Sequence, residues 1–363
     1  MVLTPTTKEM KTLKLLIIPL SLLYGLITWI RNICFDFGIL PSKSFSTPVI
    51  SVGNLRAGGT GKTPHIEYLV KLLHPKYKTG VLSRGYGRKT TGFILADENA
   101  SATEIGDEPL QIFKKFNDLT VAVNSDRVKG IKKMLDLQPD IKTILLDDAF
   151  QHRYVKPGLS ILLTEYSDLY SDDFMLPAGN LREWASGASR ADLIVVTKTP
   201  QIFSPLDRRS ILDKIEPKPY QRVYFSYTKY GELTSLNNPE LKNPFTKEYY
   251  FERDYTFLIL TGIAKPINIQ YYLKSKVTEI VPLAFADHHE FSTEDMQELR
   301  KAFDNISNSK KIIITTEKDA MRLRNPGIAG LITDLPIFYL PLEVVFHGND
   351  ESNFNNHILD YVR

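Results

Sequence analysis

The chain has 363 residues, of which 43% are hydrophobic and 24% are charged, a composition typical of a globular protein large enough for two domains. Its formal net charge of +3 is small and its Lys and Arg residues are dispersed, which argues against a nucleic acid as the partner. The single cysteine, Cys34, excludes an intrachain disulfide and fits a reducing, cytosolic environment.

The first predicted element is an apolar helix near the N-terminus. Residues 15–30 are almost all apolar, and basic residues bracket them at Lys8, Lys11, Lys14 and Arg31. As a helix, this run spans ~24 Å, which is short of the ~30 Å hydrocarbon core of a bilayer. Pro19 lies inside the run and would kink the helix or mark its start.

One face of this predicted helix carries small and polar side chains at helical spacing. They are Ser21, Gly25, Thr28 and Asn32. We expect a membrane-associated helix whose polar face docks on protein or on lipid headgroups. A full span extended through Cys34 and a buried helix of a soluble protein are the alternatives. A cleaved signal peptide is disfavoured because no small-x-small site follows the apolar run.

A glycine-rich loop follows a short apolar strand predicted at 47–52. Its glycines, Gly58, Gly59 and Gly61, allow the backbone to approach a phosphate and to point N–H groups at it around Thr60. Lys62 would reach the β- and γ-phosphates, and the hydroxyl of Thr63 would ligate Mg²⁺. The match to G-x-x-x-x-G-K-[ST] is imperfect, because Arg56 stands where that pattern has its first glycine.

An acidic strand end supports the phosphate-loop interpretation over a chance Gly-Lys-Thr turn. The apolar run at 141–146 delivers Asp147 and Asp148 at the carboxyl end of a predicted strand, where ligands collect in open α/β sheets. We therefore predict a nucleotide site with Mg²⁺ held by Thr63, Asp147 and Asp148. ATP is favoured over GTP, because Pro200 replaces the Asp that reads guanine in Asn-Lys-x-Asp.

Strand and helix patterns alternate along most of the chain and predict a doubly wound parallel sheet of the P-loop NTPase type. The alternation breaks near 220–254, where short aromatic and polar segments suggest a hairpin linker, and restarts at 256 as a smaller α/β unit. The expected division is an N-terminal membrane-associated helix at 1–40, a P-loop kinase core at 41–220, a β-hairpin linker at 221–254 and a C-terminal α/β domain at 255–363.

Phosphoryl transfer also needs a base for the acceptor, and the sequence offers several polar clusters. Asp107 opens a predicted helix in Gly-Asp-Glu-Pro and is either a base or a helix cap. His288 and His289 follow a strand of the second unit, where a histidine could tune a carboxylate, line a surface loop or bind metal. His152 would crowd the phosphate cleft, while Arg182 would either meet an anionic substrate or form a structural ion pair.

Together these segments resemble the tetraacyldisaccharide 4'-kinase family over nearly the whole chain. The set is more specific than any one motif, and the family tolerates a residue other than glycine at position 56. The matching segments are the N-terminal apolar helix, the loop at 52–64, Ser83-Arg84-Gly85-Tyr86-Gly87, Gly106-Asp107-Glu108-Pro109, Asp147-Asp148-Ala149-Phe150-Gln151-His152, Leu176-Pro177-Ala178-Gly179 with Leu181-Arg182-Glu183, Asp287-His288-His289 and Thr315-Thr316-Glu317-Lys318-Asp319-Ala320.

The resemblance implies ATP- and Mg²⁺-dependent phosphorylation of the 4'-hydroxyl of tetraacyldisaccharide 1-phosphate, which gives lipid IVA in lipid A biosynthesis. It implies two α/β/α domains joined by a two-stranded linker, with the site between them at the cytoplasmic face of the bacterial inner membrane. Lys62 and Asp107 are then catalytic, with Asp107 as base and His288 as its partner. The residues implied to contact substrate, directly or indirectly, are His152, Arg182 and Glu183. No obligate protein partner is expected.

Two other classes of protein are compatible with the phosphate loop alone. A P-loop ATPase or GTPase could use hydrolysis as a switch, as in metal insertion, but the chain has a single cysteine to offer near such a site. A membrane nucleotide sensor could bind ATP without turnover, although retention of Lys62, Thr63, Asp147 and Asp148 argues against that class.

Overall fold

The structure is a computed structural model that describes residues 7–237, 246–263, 267–287 and 289–363. In these ranges the chain forms two separate β-sheets flanked by helices. The strands are β1 (Val49–Asn54), β2 (Thr79–Ser83), β3 (Ile94–Leu95), β4 (Thr120–Val123), β5 (Thr143–Asp147), β6 (Leu159–Glu165), β7 (Leu193–Thr197), β8 (Arg222–Tyr230), β9 (Thr234–Ser235), β10 (Thr256–Thr261), β11 (Glu279–Ala284), β12 (Lys311–Thr316), β13 (Ile337–Leu340) and β14 (Leu342–Phe346).

The helices follow most strands in chain order, as expected of crossover connections between parallel strands. They are α1 (Thr7–Asp36), α2 (Lys62–Leu73), α3 (Ala102–Ile105), α4 (Asp107–Lys115), α5 (Arg127–Leu137), α6 (Pro205–Ile215), α7 (Lys247–Phe251), α8 (Ile267–Lys274), α9 (Thr293–Asp304), α10 (Glu317–Leu323), α11 (Pro326–Ala329) and α12 (Asp350–Val362).

The first sheet has nine strands in the order β14-β8-β7-β6-β1-β5-β2-β4-β3. Strand β1 lies at its centre and pairs in parallel with β5 and β6. All six residues of β1 are buried, as expected for a parallel strand covered by helices on both faces. Because β5 is the neighbour of β1, the carboxyl end of β5 lies beside the loop that leaves β1. The predicted doubly wound parallel sheet is confirmed.

The second sheet has five strands in the order β11-β10-β12-β13-β9. Strands β10, β11, β12 and β13 are parallel, and only the short edge strand β9 pairs antiparallel, with β13. Helix α9 begins with a capping box, in which Ser292 and Asp295 satisfy each other's backbone N–H groups. This sheet corresponds to the predicted smaller α/β unit.

The connection between the two sheets differs from the predicted hairpin at 221–254. Strand β8 pairs in parallel with β7 and antiparallel with β14, so the two-stranded link is built from segments more than 100 residues apart. The C-terminal end of the predicted 255–363 domain is also corrected. Strand β14 belongs to the first sheet, and Phe354, Ile358 and Val362 of α12 pack into the core of that sheet.

Helix α1 continues through Pro19, so this proline neither starts nor ends it. The segment Ile17–Asp36 has a mean hydropathy of 1.5 and is long and apolar enough to cross a membrane. Only 11% of the 18-residue apolar window within this segment is buried. Its solvent-exposed apolar side chains are Leu20, Leu22, Leu23, Leu26, Ile27, Trp29 and Ile30.

The opposite face of α1 docks on the first unit through the small and polar residues identified in the sequence. Ser21 is fully buried, and its Oγ accepts a hydrogen bond from the backbone N–H of Ala178 at 2.9 Å. The amide of Asn32 donates to the Glu183 carboxylate at 2.8 Å. The sequence predicted that this face docks on protein or on lipid headgroups, and in the structure it docks on protein.

Candidate active site

The glycine-rich loop connects β1 to α2 and has the backbone shape of a phosphate cradle. Gly58 and Gly61 have φ angles of +123° and +88°, which side chains with a Cβ rarely adopt. Gly61 is the N-cap of α2, so the positive end of this helix faces the loop. The loop is therefore suited to bind an anion through backbone N–H groups.

Side chains at the ends of β1 and β7 hold the loop in this shape. The amide of Asn54 donates to the hydroxyl of Thr60 at 2.8 Å, and the hydroxyl of Thr197 donates to the Thr60 carbonyl at 2.9 Å. Lys198 Nζ donates to the carbonyl of Gly59 at 2.6 Å and pairs with Glu165 at 2.9 Å. The sequence alone did not predict this contact of Lys198.

Arg56, the departure from the usual phosphate-loop pattern, has a structural role. Its side chain is buried, and its Nε lies 2.6 Å from a carboxylate oxygen of Asp173. It also pairs with Asp168, and its backbone bridges to Leu181. These contacts fasten the loop to the segment that carries Arg182, which explains why a long cation occupies this position.

The acidic pair lies beside the phosphate loop because Val52 of β1 is in register with Asp147 of β5. Asp147 is almost fully buried, and Ser83 donates to its Oδ2 at 3.1 Å. Its Oδ1 is buried without a hydrogen-bond partner among the described residues. Burial, together with the negative charges of Glu108 and Asp148, raises the pKa of Asp147. A cation at this oxygen would offset all three effects.

These residues fit a Mg²⁺ ion held together with nucleotide phosphates. Mg²⁺ prefers oxygen ligands and is usually held by one or two carboxylates plus phosphate oxygens. The Asp147 carboxylate oxygen that has no partner among the described residues is one such ligand, and the hydroxyl of Thr63 in the first turn of α2 and the carboxylate of Asp148 are the other predicted ligands. The electrostatic role of Glu108 shows that the start of α4 lies close to this point.

Asp148 differs from Asp147, because cations surround it. Its Oδ1 lies 3.6 Å from Lys62 Nζ, and Arg182 Nη1 donates to both of its carboxylate oxygens at 3.0 and 3.1 Å. Although burial opposes ionisation, Lys62 and Arg182 hold the pKa of Asp148 below its usual range. The two adjacent carboxylates therefore have different environments, and Asp148 orients Lys62 and Arg182.

Glu183 follows Arg182 but points into the protein. Its carboxylate is buried and accepts hydrogen bonds from Asn32 at 2.8 Å, Arg190 at 2.8 Å and Gln151 at 3.1 Å. Both oxygens are therefore engaged by protein groups that join α1 to the site. These contacts suit a link between α1 and the cleft, and an indirect role of Glu183 toward substrate stays a prediction.

His152 follows the acidic pair by four residues and lies near several basic side chains. Burial, followed by the positive charge of Arg127, lowers its pKa to about 4, so the imidazole is neutral at pH 7. Its Nε2 is buried without a hydrogen-bond partner among the described residues. The guanidinium of Arg127 is also buried and donates to the Asp147 carbonyl at 3.2 Å, with Arg84 and Arg88 close enough to affect its pKa.

Arg127 and Arg84 were not among the site residues predicted from the sequence. Arg84 directly follows Ser83, the last residue of β2, and β2 is the neighbour of β5. The rule that functional residues follow the carboxyl ends of parallel strands would have identified Arg84. Arg127 begins α5, and no local signal distinguishes it from an ordinary helix residue.

Asp107 lies where the two units meet. It is the first residue of α4, after Gly106 with a φ of +93°, and its Oδ2 accepts hydrogen bonds from Arg322 Nε at 2.9 Å and Nη2 at 2.5 Å. The predicted partner His288 lies outside the described residues. His289 Nε2 lies 2.8 Å from Asp295, a contact within the second unit. The pairing of Asp107 with His288 stays a prediction.

Two further ion pairs join α4 to α10 beside Asp107. Glu108 pairs with Lys318 at 2.6 Å, and Lys115 pairs with Glu317 at 2.6 Å. Lys115 also pairs with Glu67 of α2 at 2.6 Å. Helix α4 therefore lines one side of the boundary between the units, and α10 lines the other.

Comparisons with known proteins point to one family. A family model described as tetraacyldisaccharide-1-P 4'-kinase matches residues 13–363. The chain is 45% identical to the tetraacyldisaccharide 4'-kinase of Bacteroides thetaiotaomicron, covering 95% of this chain and 92% of that protein. It is 46% identical to that of Flavobacterium johnsoniae, covering 98% of both chains.

A solved structure is similar over the same extent. It is the crystal structure of an "apo" form of LpxK from Aquifex aeolicus in complex with ATP. The TM-score is 0.75 at 28% sequence identity, and the match covers 97% of this chain and 100% of that chain.

Proposed function

The chain belongs to the tetraacyldisaccharide 4'-kinase family, and from this we propose that it transfers the γ-phosphate of ATP to the 4'-hydroxyl of tetraacyldisaccharide 1-phosphate. The product is lipid IVA, and the reaction belongs to lipid A biosynthesis. The enzyme is a phosphotransferase with an alcohol as acceptor. The predictions of family, enzyme class and overall reaction made from the sequence are confirmed at the level of the family.

One observation carries the choice of a lipid acceptor. Helix α1 exposes an apolar face while its polar face is bonded to the segment that holds Arg182, whose guanidinium contacts Asp148 of the acidic pair. The bond is direct, since the Tyr24 hydroxyl donates to the Arg182 carbonyl at 2.9 Å. A kinase for a soluble acceptor has no need of such a helix beside its phosphate site.

The phosphate loop, Lys62 and the helix N-terminus of α2 bind and orient the triphosphate. Lys62 compensates negative charge on the β- and γ-phosphates as the transferring group separates. Mg²⁺, held by the Thr63 hydroxyl and the Asp147 carboxylate, would supply charge neutralisation of the phosphates when bound. Asp148 keeps the Lys62 ammonium aimed at the same point.

We assign Asp107 as the base for the acceptor. The 4'-hydroxyl oxygen forms a bond to the γ-phosphorus, the bond from that phosphorus to the bridging oxygen of ADP breaks, and the hydroxyl proton passes to the Asp107 carboxylate. The proximity of Glu108 to Asp147 supports this role, because it brings the start of α4 to the phosphate end of the cleft. His288 is the proposed partner of Asp107.

Basic and neutral polar groups beside the acidic pair suit the anionic disaccharide. Arg127, Arg84 and the neutral His152 lie close together after strands β4, β2 and β5, on one side of β1, the strand that precedes the phosphate loop. The Nε2 of His152, which is buried and has no hydrogen-bond partner in the described part of the chain, supports a contact with a polar substrate group. Arg182 completes the site through its bond to Asp148.

We propose that the protein acts at the cytoplasmic face of the bacterial inner membrane, where ATP and the lipid acceptor meet. Docking of α1 along the protein supports an orientation in the plane of the interface over a full span, because its polar face is already bonded between Ser21 and Asn32. Lys8, Lys11 and Lys14 precede this segment and would attract anionic headgroups.

The test is transfer from γ-labelled ATP to tetraacyldisaccharide 1-phosphate in detergent micelles. The wild type should label the lipid, and Asp107→Ala should lose labelling while retaining ATP binding. The matched control is Asp136→Ala, which removes an exposed carboxylate on α5 of the same unit and should behave as wild type.

The same assay distinguishes the rival classes. Steady ATP hydrolysis without lipid labelling by the wild type would support a switch ATPase. ATP binding with neither hydrolysis nor labelling would support a nucleotide sensor. Full activity of Asp107→Ala, with a labelled lipid product, would support the kinase activity and contradict the assignment of Asp107 as its base.

A further inference from the structure

Arg322 is a buried arginine that the second unit holds in one orientation. Its Nη1 donates to the carbonyl of Gly262 at 2.9 Å and to Asp319 Oδ1 at 3.0 Å. Asp319 is itself fully buried and accepts hydrogen bonds from the Gly262 N–H at 3.0 Å and the Thr316 hydroxyl at 2.8 Å. The guanidinium is therefore fixed within the second unit by Gly262, which follows β10, and by Asp319 of α10, before any contact with the first unit.

The remaining edge of the guanidinium crosses to the first unit. Both Nε and Nη2 donate to Oδ2 of Asp107, at 2.9 and 2.5 Å. The two residues are 215 positions apart in the chain. The contact joins the residue assigned as base to a rigid cation on the opposite wall of the cleft.

An exposed ion pair across the same boundary is of a different kind. Lys89 and Glu290 form an exposed pair at 3.1 Å, with 67% and 72% of their side chains accessible. Exposed pairs contribute little and do not fix geometry. The Arg322 side chain is only 7% accessible, and the planar fork of an arginine restricts the carboxylate it binds.

We propose that Arg322 is a positioning residue for Asp107 in the phosphoryl-transfer reaction, an inference that rests on the proposed function. With Oδ2 held by the guanidinium, the carboxylate keeps one rotamer at the start of α4 and presents a fixed face to the acceptor hydroxyl. Because Arg322 belongs to the second unit, this arrangement of the base exists only while the two units are together. The orientation of the Asp107 base therefore depends on contact between the two units, through Arg322.

The test is steady-state kinetics of lipid labelling with Arg322→Gln and Arg322→Lys. We expect Arg322→Gln to lower kcat by roughly 10- to 100-fold, the effect of a small misplacement of a reacting group, with KM for ATP within about threefold of wild type. Arg322→Lys should recover part of kcat because it retains the charge. Lys89→Met, which removes the exposed pair with Glu290, is the control for weakening the boundary and should match the wild type.

A double-variant comparison keeps the inference testable if Arg322→Gln is less stable. On an Asp107→Asn background, Arg322→Gln should cause no further loss of kcat, since the group it positions is already disabled. An equal fold-loss on both backgrounds, or a loss that falls on KM for ATP alone, would overturn the positioning role. Wild-type protein that labels no lipid would overturn the proposed function and this inference with it, whereas an active wild type with a fully active Arg322→Gln would overturn this inference alone.

Discussion

The indole nitrogen of Trp184 donates a hydrogen bond to the backbone carbonyl of Gly25 at 2.9 Å. The contact is close because residue 25 has no side chain, and a Cβ there would lie 2.6 Å from the Trp184 ring. Trp184 immediately follows Glu183, whose carboxylate binds Asn32 of the same helix. The close packing of α1 against the first unit therefore depends on the absence of a side chain at Gly25.

We predict that Gly25→Val displaces α1 from its packed position against Trp184. The added side chain overlaps the indole, and overpacking of this kind costs about 1–3 kcal/mol. The chain has two tryptophans, so a Trp29→Phe background leaves Trp184 as the only source of tryptophan emission. Its emission should shift to the red, and KM for the lipid acceptor should rise more than KM for ATP.

Leu23→Ala is the control for this substitution, because Leu23 lies on the exposed face of α1. It should leave the emission of Trp184 unchanged. Unchanged emission and unchanged lipid KM in Gly25→Val would contradict a role of this glycine in the packing of α1 against Trp184.

A second prediction concerns the buried charges between α2, α4 and α10. Lys115 lies 2.6 Å from both Glu67 and Glu317, and burial together with Glu317 raises the pKa of Glu67. Lys115→Met would leave two buried carboxylates without their cation, which should lower the free energy of unfolding by about 3–5 kcal/mol at pH 7. The loss should be smaller at pH 5, where the carboxylates take up protons.

Urea unfolding at pH 7 and pH 5 measures this effect. Lys114→Met, which changes the neighbouring exposed lysine, is the matched control and should change the free energy of unfolding little. Adding Glu67→Gln to Lys115→Met should restore part of the stability. A loss that is the same at both pH values would contradict the assignment of the cost to buried carboxylates.

A third prediction follows from His65, which lies in the first turn of α2. It is buried, and its ring nitrogens contact the Gly61 carbonyl at 2.8 Å and the Ser226 hydroxyl at 3.1 Å. Burial lowers its pKa from 6.5 to about 4. Between pH 6.5 and 4, His65 is therefore protonated in the unfolded chain and neutral in the folded protein. The contribution of this residue to stability is complete above pH 6.5 and is lost as the pH falls toward 4.

The expected loss is about 3 kcal/mol across that window. Replacement by His65→Gln removes the titrating group, so the difference in unfolding free energy between wild type and variant should shrink as the pH falls from 7 to 4. Chemical unfolding at several pH values measures this difference. A difference that stays constant with pH would show that His65 does not titrate as assigned.

The site features that local patterns predict are those on the ends of strands. The phosphate loop from Gly58 to Thr63 and the pair Asp147 and Asp148 each follow an apolar strand, and parallel pairing of β1 with β5 brings them together. The small polar stripe of α1 was also predictable, because helical spacing places its members on one face.

Contacts between distant segments were not predictable from these patterns. Lys198 reaches Gly59 across 139 positions, and Arg322 reaches Asp107 across 215. Neither residue differs locally from a surface cation. The return of β14 to the first sheet was missed for the same reason, since the apolar pattern of a strand does not specify which sheet it joins.

The last prediction sets stability against function at Asp147. Its buried Oδ1 has no hydrogen-bond partner among the described residues, and the charges of Glu108 and Asp148 oppose its ionisation. Asp147→Asn removes one charge from this cluster, so the protein without nucleotide or metal should be more stable by about 1 kcal/mol. Phosphate transfer should fall by roughly 10³-fold, since the variant loses an anionic ligand for Mg²⁺.

Thermal unfolding with and without ATP and Mg²⁺ separates the two effects. The wild type should gain stability from ATP with Mg²⁺ and lose most of that gain when EDTA is added, whereas Asp147→Asn should start higher and gain little. Ser83→Ala provides the contrast, because it removes the hydrogen bond to Oδ2 and leaves the charge, so it should destabilise the ligand-free protein by about 1 kcal/mol. If ligand-free Asp147→Asn were less stable than the wild type, the carboxylate would be stabilising the fold. That result would contradict the assignment of its Oδ1 as a cation ligand that destabilises the ligand-free protein.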